Sequence, residues 1–224
     1  AKPVRLTLVG RDDARTQRVA ADLQVRSPAS VIQVMTTDFV NASAIAQTVQ
    51  AITTIAPVDV VLIAHGVLSD QALCQDDVLA CDASLQVNGV SPVLFAEGFA
   101  KPMVAANHGT IAIIGSVAGD RGRKTNYVYG AAKGLVSRYA QGMQHRLAHT
   151  GVKVVLIKPG PTDTPMTSDL KAQGQKMASV EQVAQDIVKG IAAGKPVVYT
   201  PGIWQIIMLV VMHLPRFVFN KLNI

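Results

Sequence analysis

Tyr129 and Lys133 stand four residues apart in Tyr129-Gly-Ala-Ala-Lys133. On a helix that spacing puts a phenol and an ammonium on one face, one turn apart. A phenol ordinarily titrates near ~10, above the range useful for proton transfer at neutral pH, and a neighbouring cation lowers that value by favouring the phenolate. The pair can therefore act as an acid/base toward the oxygen of a ketone or alcohol. Tyr-x-x-x-Lys is a common spacing, and two flanking segments narrow its meaning. Ile111-Ala-Ile-Ile-Gly-Ser116 is an apolar run ending in a hydroxyl that can hydrogen-bond a carbonyl, and Val152–Ile157 leads into Lys158-Pro159-Gly160-Pro-Thr162-Asp-Thr164-Pro-Met, a stiff turn rich in hydroxyls. A strand-end serine, an exposed tyrosine and an ordinary turn are each unremarkable alone, but their succession points to a redox centre.

These side chains need elements to position them. Strand-like runs at Val4–Val9, Val31–Met35, Val58–Ala64, Ile111–Gly115 and Val152–Ile157 alternate with helical stretches at about Asp13–Val25, Ala42–Ile55, Ala80–Ala106 and Tyr127–Thr150. Strand–helix alternation of this kind predicts an α/β fold, a doubly wound parallel sheet of Rossmann type with helices on both faces. Such sheets bind ligands beyond the C-terminal ends of their strands, which is where Ser116 and the Pro159–Thr164 turn fall. The chain reads as one domain over residues 1–201, followed by an apolar and basic C-terminal extension over residues 202–224.

The strand-Ser116, Tyr129-x-x-x-Lys133 and Pro159-Gly160-x-x-x-Thr164 succession, with its Ser116-to-Tyr129 spacing, resembles the short-chain dehydrogenase/reductase family over nearly the whole chain. The resemblance implies an NAD(P)-dependent oxidoreductase. In it Tyr129 is the general acid/base, Lys133 lowers its pKa and holds the nicotinamide ribose, and Ser116 orients the substrate carbonyl. Asn88, in Leu85-Gln-Val-Asn88-Gly-Val, matches the family's proton-relay asparagine, and Gly66, in Ile63-Ala-His-Gly66, the glycine of its Asn-Asn-Ala-Gly segment. Thr164 matches the hydroxyl that contacts the cofactor carboxamide, within a cofactor-binding turn that includes Pro159, Gly160 and Thr162. Asp38 matches the residue that reads the adenine amino group. Homodimers or homotetramers are expected on the same basis.

Departures qualify the match. The first strand ends in Val9-Gly10-Arg11-Asp12, which resembles the family's second strand, so the opening strand, Gly-rich phosphate turn and helix are expected to be missing and the chain to be a truncated version of a longer product. Ile63-Ala64-His65 replaces Asn-Asn-Ala, leaving His65 as a packing variant or a further catalytic group. Arg11 favours the ribose phosphate of NADP(H) over NAD(H), while Asp12 and Asp13 beside it leave a solvated charge cluster as the alternative. The segment Thr167–Ser179 reads as a substrate lid.

With 49% hydrophobic and 4% aromatic residues, the core is built from Ala, Val, Ile and Leu. The net charge of +6 is scattered, without the aromatic-basic interleaving that nucleic acid would call for. Cys74 and Cys81 match no metal or redox spacing and read as inert thiols of a reducing, cytoplasmic protein. Asp120-Arg121-Gly-Arg123-Lys124 places three cations at the rim of the expected pocket, to hold a substrate phosphate or simply to be solvated. The C-terminal Ile206–Met212 run, its Pro215 break and the Arg216–Lys221 segment are too short to span a bilayer, and suit an interfacial membrane contact, a lipid-accommodating wall or a packed interface. The basic run, Val-Tyr-Gly before Lys133 and the Leu-Pro-Arg…Lys-Leu-x-Ile ending resemble the family's decaprenylphosphoryl-2-keto-erythro-pentofuranose reductase branch. A keto or hydroxy substrate, in that case lipid-linked, is expected. The alternatives are a soluble carbonyl or 3-oxoacyl reductase and a cofactor-free binding protein.

Overall fold

The computed structural model describes residues 3–222, so the last two residues of the Lys-Leu-x-Ile ending lie outside the described residues. The chain divides into two compact units, residues 1–57 and 58–224.

In the first unit, β1 (Arg5–Gly10) pairs in parallel with β2 (Val31–Thr36), and α1 (Asp13–Arg26) packs on both strands. Asp12 starts α1 by accepting the Arg15 backbone N–H at 2.9 Å, the usual carboxylate N-cap. Asn41 does the same for α2 (Ala42–Ile55) through the Ala44 N–H.

The second unit holds a four-stranded parallel sheet in the order β3 (Val60–Ile63), β4 (Gly109–Ile114), β5 (Val152–Pro159), β6 (Val197–Thr200). Alternation along the strands sorts the core onto two faces. Ala112, Val155, Ile157 and Val198 pack with Ile187 and Ile191 of α8 (Val180–Ala192) on one face. Ile111, Ile113 and Leu156, all at 0% exposure, point to the other, where α5 (Ser91–Ala106) and α6 (Tyr127–Arg146) supply Phe95, Phe99, Val136 and Ala140. Among the described residues β1 and β3 each have a single ladder partner. Along β3 burial alternates: Val61 and Ile63 are buried, whereas Val60 and Leu62 are about half exposed.

Between β3 and β4 run α3 (Gln71–Asp76), α4 (Val78–Leu85), a π-helical turn (Gln86–Val90) and α5. The stretch Val78–Ala106 is long and apolar enough to suit a bilayer, yet Ser84, Asn88, Ser91, Phe95 and Phe99 are buried within it, as in the core helix of a packed domain. After β5 come a 3-10 turn (Pro165–Thr167), α7 (Ser168–Ala172) and α8. The chain closes with α9 (Ile203–His213), the break at Pro215 and α10 (Arg216–Phe219). β6 and α8 are elements that periodicity alone left unassigned.

Candidate active site

Ser116 is set by the strand before it. Gly115 N–H still donates to Ile157 O at 2.7 Å, and the chain then turns into a 3-10 helix (Val117–Gly119) that Ser116 caps, its Oγ accepting the Ala118 N–H at 3.1 Å. This holds the serine oxygen at the C-terminal edge of the sheet, facing the start of α6. That helix has no local side-chain cap; Gln71 Oε1, reaching over from α3, accepts the Val128 N–H at 3.0 Å. Tyr129 follows in the same first turn.

Burial pushes the Tyr129 phenol above its ordinary value, and hydrogen bonding toward Ser116 acts in the opposite sense. Lys133 lies beneath, 2% exposed, with Nζ 5.8 Å from the centre of the Tyr129 ring. Burial pulls Lys133 down to about 8. Its ammonium donates to Ile114 O at 3.0 Å, so the expected lowering of Tyr129 by Lys133 is corrected for this state: burial dominates the phenol, and the ammonium is engaged with the end of β4.

Asn88 is fully buried in the π-helical turn. Its Oδ1 accepts the Val67 N–H at 2.8 Å and its Nδ2 donates to Ser84 O at 3.0 Å, which pins the Gly66–Val67 backbone over the site. A Cβ on Gly66 would come within 2.9 Å of Asn88 Oδ1 and 3.6 Å of Lys133 Nζ. Glycine thus lets this backbone approach the Asn88 amide closely. His65, next to it, bonds Ser91 Oγ through Nε2 at 2.9 Å and meets Phe95 edge-on at 5.5 Å. Burial, and secondarily the charge of Lys133, holds it down at about 4, so it is neutral at physiological pH.

The β5 turn leaves the neighbouring strand. Gly160 N–H donates to Thr200 O at 2.9 Å, and Thr162 Oγ1 donates to Gly160 O at 3.0 Å. Thr164 starts the 3-10 turn of Pro165–Thr167 in a reciprocal capping box with Thr167. The segment read as a lid is anchored on both sides: Ala178 N–H donates to Pro161 O, Asp163 N–H donates to Ala178 O, and Lys171 pairs with Asp163 at 2.6 Å. Thr164, Ser168 and Lys171 line an open cavity of about 500 Å³ there. Next to the turn, a Cβ on Gly160 would run into the indole of Trp204 at the start of α9.

The basic run between Ser116 and Tyr129 turns out not to be three free cations. Asp120 forms a buried ion pair with Lys158 at 2.5 Å and accepts the Tyr199 hydroxyl at 2.8 Å. Arg121 reaches the end of α9, where Nη1 donates to Val211 O at 2.5 Å and Leu214 O at 2.7 Å while the guanidinium stacks 3.7 Å above the Phe219 ring. Arg123 is half-buried, and burial lowers its pKa. Lys124 alone is plainly exposed.

Ser116, Tyr129, Lys133, Asn88 and Gly66 are therefore brought together, with Pro159–Thr164 leaving the adjacent strand. Arg11 and Asp38 follow β1 and β2 in the first unit. There Asp12 is used as the α1 cap, Asp13 accepts the Thr36 hydroxyl at 3.2 Å, and Asp38 accepts the Val40 N–H at 3.0 Å. Arg11 is left as the exposed charge after β1. Gln71, Ser91 and Trp204 carry no motif, and the sequence pattern held no signal for them.

A profile of the short chain dehydrogenase family matches residues 1–175. The chain belongs to that family. It is similar to an uncharacterized oxidoreductase of Mycobacterium tuberculosis, 31% identical over 166 residues that cover 74% of this chain and 66% of that protein. The chain thus spans slightly less than two thirds of that relative's length. An uncharacterized oxidoreductase of Staphylococcus saprophyticus is 27% identical over 183 residues, 81% of this chain and 78% of the other. Among solved structures, a short-chain dehydrogenase from Sphingobium yanoikuyae in complex with NADPH superposes with a TM-score of 0.81 at 18% identity, covering 99% of this chain and 97% of that one. Levodione reductase superposes at 0.79 and 17%, covering 88% and 95%. These structural matches show the shared α/β fold of Rossmann type, with parallel strands and helices on both faces.

Proposed function

We propose that the chain works as an NAD(P)-dependent oxidoreductase that interconverts a ketone and an alcohol. The observation that carries this reading is the buried Lys133 ammonium 5.8 Å from the centre of the Tyr129 ring, on the helix that follows the Ser116 end of β4. The nicotinamide half of a dinucleotide suits the residues present, because a buried ammonium at Lys133 and the hydroxyls of Ser116 and Tyr129 gather where Gly66 lets its backbone come close to Asn88 and Lys133. Lys133 would hold the ribose there, with Pro159, Gly160, Thr162 and Thr164 along the carboxamide side. A reduced nicotinamide supplies hydride when bound. Ser116 holds the carbonyl oxygen, and Tyr129 gives that oxygen its proton as the alcohol forms. The cation at Lys133 favours the phenolate left behind. Asn88 keeps the Gly66–Val67 backbone in place.

Arg11, with both neighbouring aspartates engaged, supports NADP(H) over NAD(H), with Asp38 at the adenine. On the substrate side, α9 presents Ile203, Ile206, Leu209 and Val210 more than half exposed, and Phe217 beyond it is 72% exposed. This supports an amphiphilic, lipid-linked keto sugar and peripheral membrane contact through the C-terminal segment, against the second reading of a soluble carbonyl or 3-oxoacyl reductase. Pairing into homodimers or homotetramers is part of the same proposal.

Calorimetry with NADPH and NADH, together with the loss of reduced-cofactor absorbance in the presence of ketones, tests the activity. Binding of NADPH with ketone-dependent oxidation is expected. No heat from either nucleotide would favour a cofactor-free binding protein. Sedimentation with anionic liposomes separates the two substrate readings, since a soluble reductase stays in the supernatant.

A further inference from the structure

Beyond Gly115, whose N–H makes the last bond of this strand to β5, the chain leaves the sheet. The turn that follows is held internally. Ser116 Oγ accepts the Ala118 N–H, the Gly119 N–H donates to Ser116 O at 3.1 Å, and the Asp120 N–H donates to Val117 O at 3.2 Å. On one side the turn lies directly on α6. A Cβ on Gly119 would come within 2.6 Å of the Lys133 carbonyl, and one on Gly130 within 2.9 Å of Ala118 O. At these two points the backbone behind Ser116 meets the backbone of the helix that carries Tyr129 and Lys133.

On the other side Asp120 ties the turn to β5 and β6. Lys158 and Tyr199 are direct partners in the β5–β6 ladder, so their side chains leave the same face of the sheet. Lys158 Nζ reaches Asp120 Oδ1 at 2.5 Å, and the Tyr199 hydroxyl donates to Oδ2 at 2.8 Å. Burial first, and Asp120 second, raises the Tyr199 phenol, which keeps it a donor. The Asp120 and Lys158 side chains are only 3% and 7% exposed. Burying such a pair costs desolvation that its attraction roughly repays, so apolar side chains of the same volume would hold the fold as well. What the charged group adds is direction. Each carboxylate oxygen has its own partner, and each partner stands on a different strand.

We infer that Asp120 is a positioning residue: through Lys158 and Tyr199 it clamps the Ser116 turn against α6 and so fixes the Ser116 hydroxyl relative to Tyr129. Its effect on turnover rests on the reductase reading, whereas its hold on the turn can be measured without turnover. A displacement of about 1 Å in a reacting geometry can cost about 10²-fold in rate, so a clamp of this kind acts on kcat while leaving the cofactor's own contacts in place.

Asp120→Leu, Lys158→Met and Tyr199→Phe combined remove the charges and the hydroxyl at similar volume, and the urea midpoint is expected to stay where it is. Hydrogen exchange at the amides of residues 118–120 should speed by about tenfold or more, while that of α6 and β5 is unchanged. Tyr199→Phe alone keeps the ion pair and should speed the same amides about fivefold, the loss of one hydrogen bond. With NADPH and either cyclohexanone or erythrulose, kcat of the combined variant should fall by about tenfold or more with NADPH affinity kept. Exchange unchanged at residues 118–120, or raised equally in α6 and β5, overturns the inference, as does an undiminished kcat. If the combined variant does not fold, exchange in Tyr199→Phe decides in its place. If the wild type reduces neither ketone, the reductase reading fails for them, and exchange alone decides whether Asp120 holds the turn.

Discussion

His65 shows how one side chain can be both embedded in the site and kept out of its proton chemistry. Burial, and secondarily the charge of Lys133, holds it near 4, below the ordinary 6.5. The unfolded chain takes up this proton as pH falls through about 6.5, the folded chain only near 4. The unfolded state therefore binds more protons in that window. The stabilising contribution is fully present above pH 6.5 and is lost on acidification toward 4, by up to about 3 kcal/mol. Urea unfolding of the wild type and of His65→Gln, compared at pH 7.5 and 5.0, should show the wild type losing more stability on acidification. Equal losses would remove His65 as the source. Residue type and spacing singled out Ser116, Tyr129 and Lys133, because acid/base chemistry restricts both, whereas Asn88 and Gly66 were marked only by the family resemblance. The pattern was silent on Gln71 and Ser91, whose roles arise only when distant helices meet.

At the level of elements, Arg121 shows why a basic run cannot be read as a binding patch from its composition. Its guanidinium caps α9 and stacks on Phe219, joining the C-terminal segment to the loop between Ser116 and Tyr129. Hydrogen bonds from a charged donor contribute about 1.5–3 kcal/mol each, and a partly exposed site gives the lower end. Arg121→Ala should cost about 2 kcal/mol in urea unfolding and open residues 203–219 to limited proteolysis. Arg121→Lys should recover less than half, because an ammonium cannot stack and fork as a guanidinium does. An Arg121→Ala chain as stable and as resistant as the wild type would contradict the latch. The main strands and long helices were legible from their periodicity. The four-residue β6, Val197–Thr200, was not: it is too short for alternation to register, and its pairing with β5 depends on a partner far away in sequence. The π-helical turn at Asn88 was equally hidden, since nothing in Gln-Val-Asn-Gly-Val departs from an ordinary helix.

For the whole molecule, the family and the α/β architecture could be read from the order of motifs, while the nucleotide's adenine side could be argued only from Arg11 and Asp38. If the chain holds the dinucleotide, binding must raise its stability by mass action. At a hundredfold excess over Kd the gain is about 2.7 kcal/mol, or an increase in Tm of about 5–10 °C for a chain of this length. The shift should be larger with NADPH than with NADH at equal concentration, and equal shifts would remove the role given to Arg11. The most direct test of the central claim is turnover by Tyr129→Phe, measured beside its affinity for NADPH. The account predicts a fall in kcat of about 10²–10⁴, the range a positioned general acid supplies, with cofactor affinity kept. Undiminished turnover with the phenol removed would contradict it.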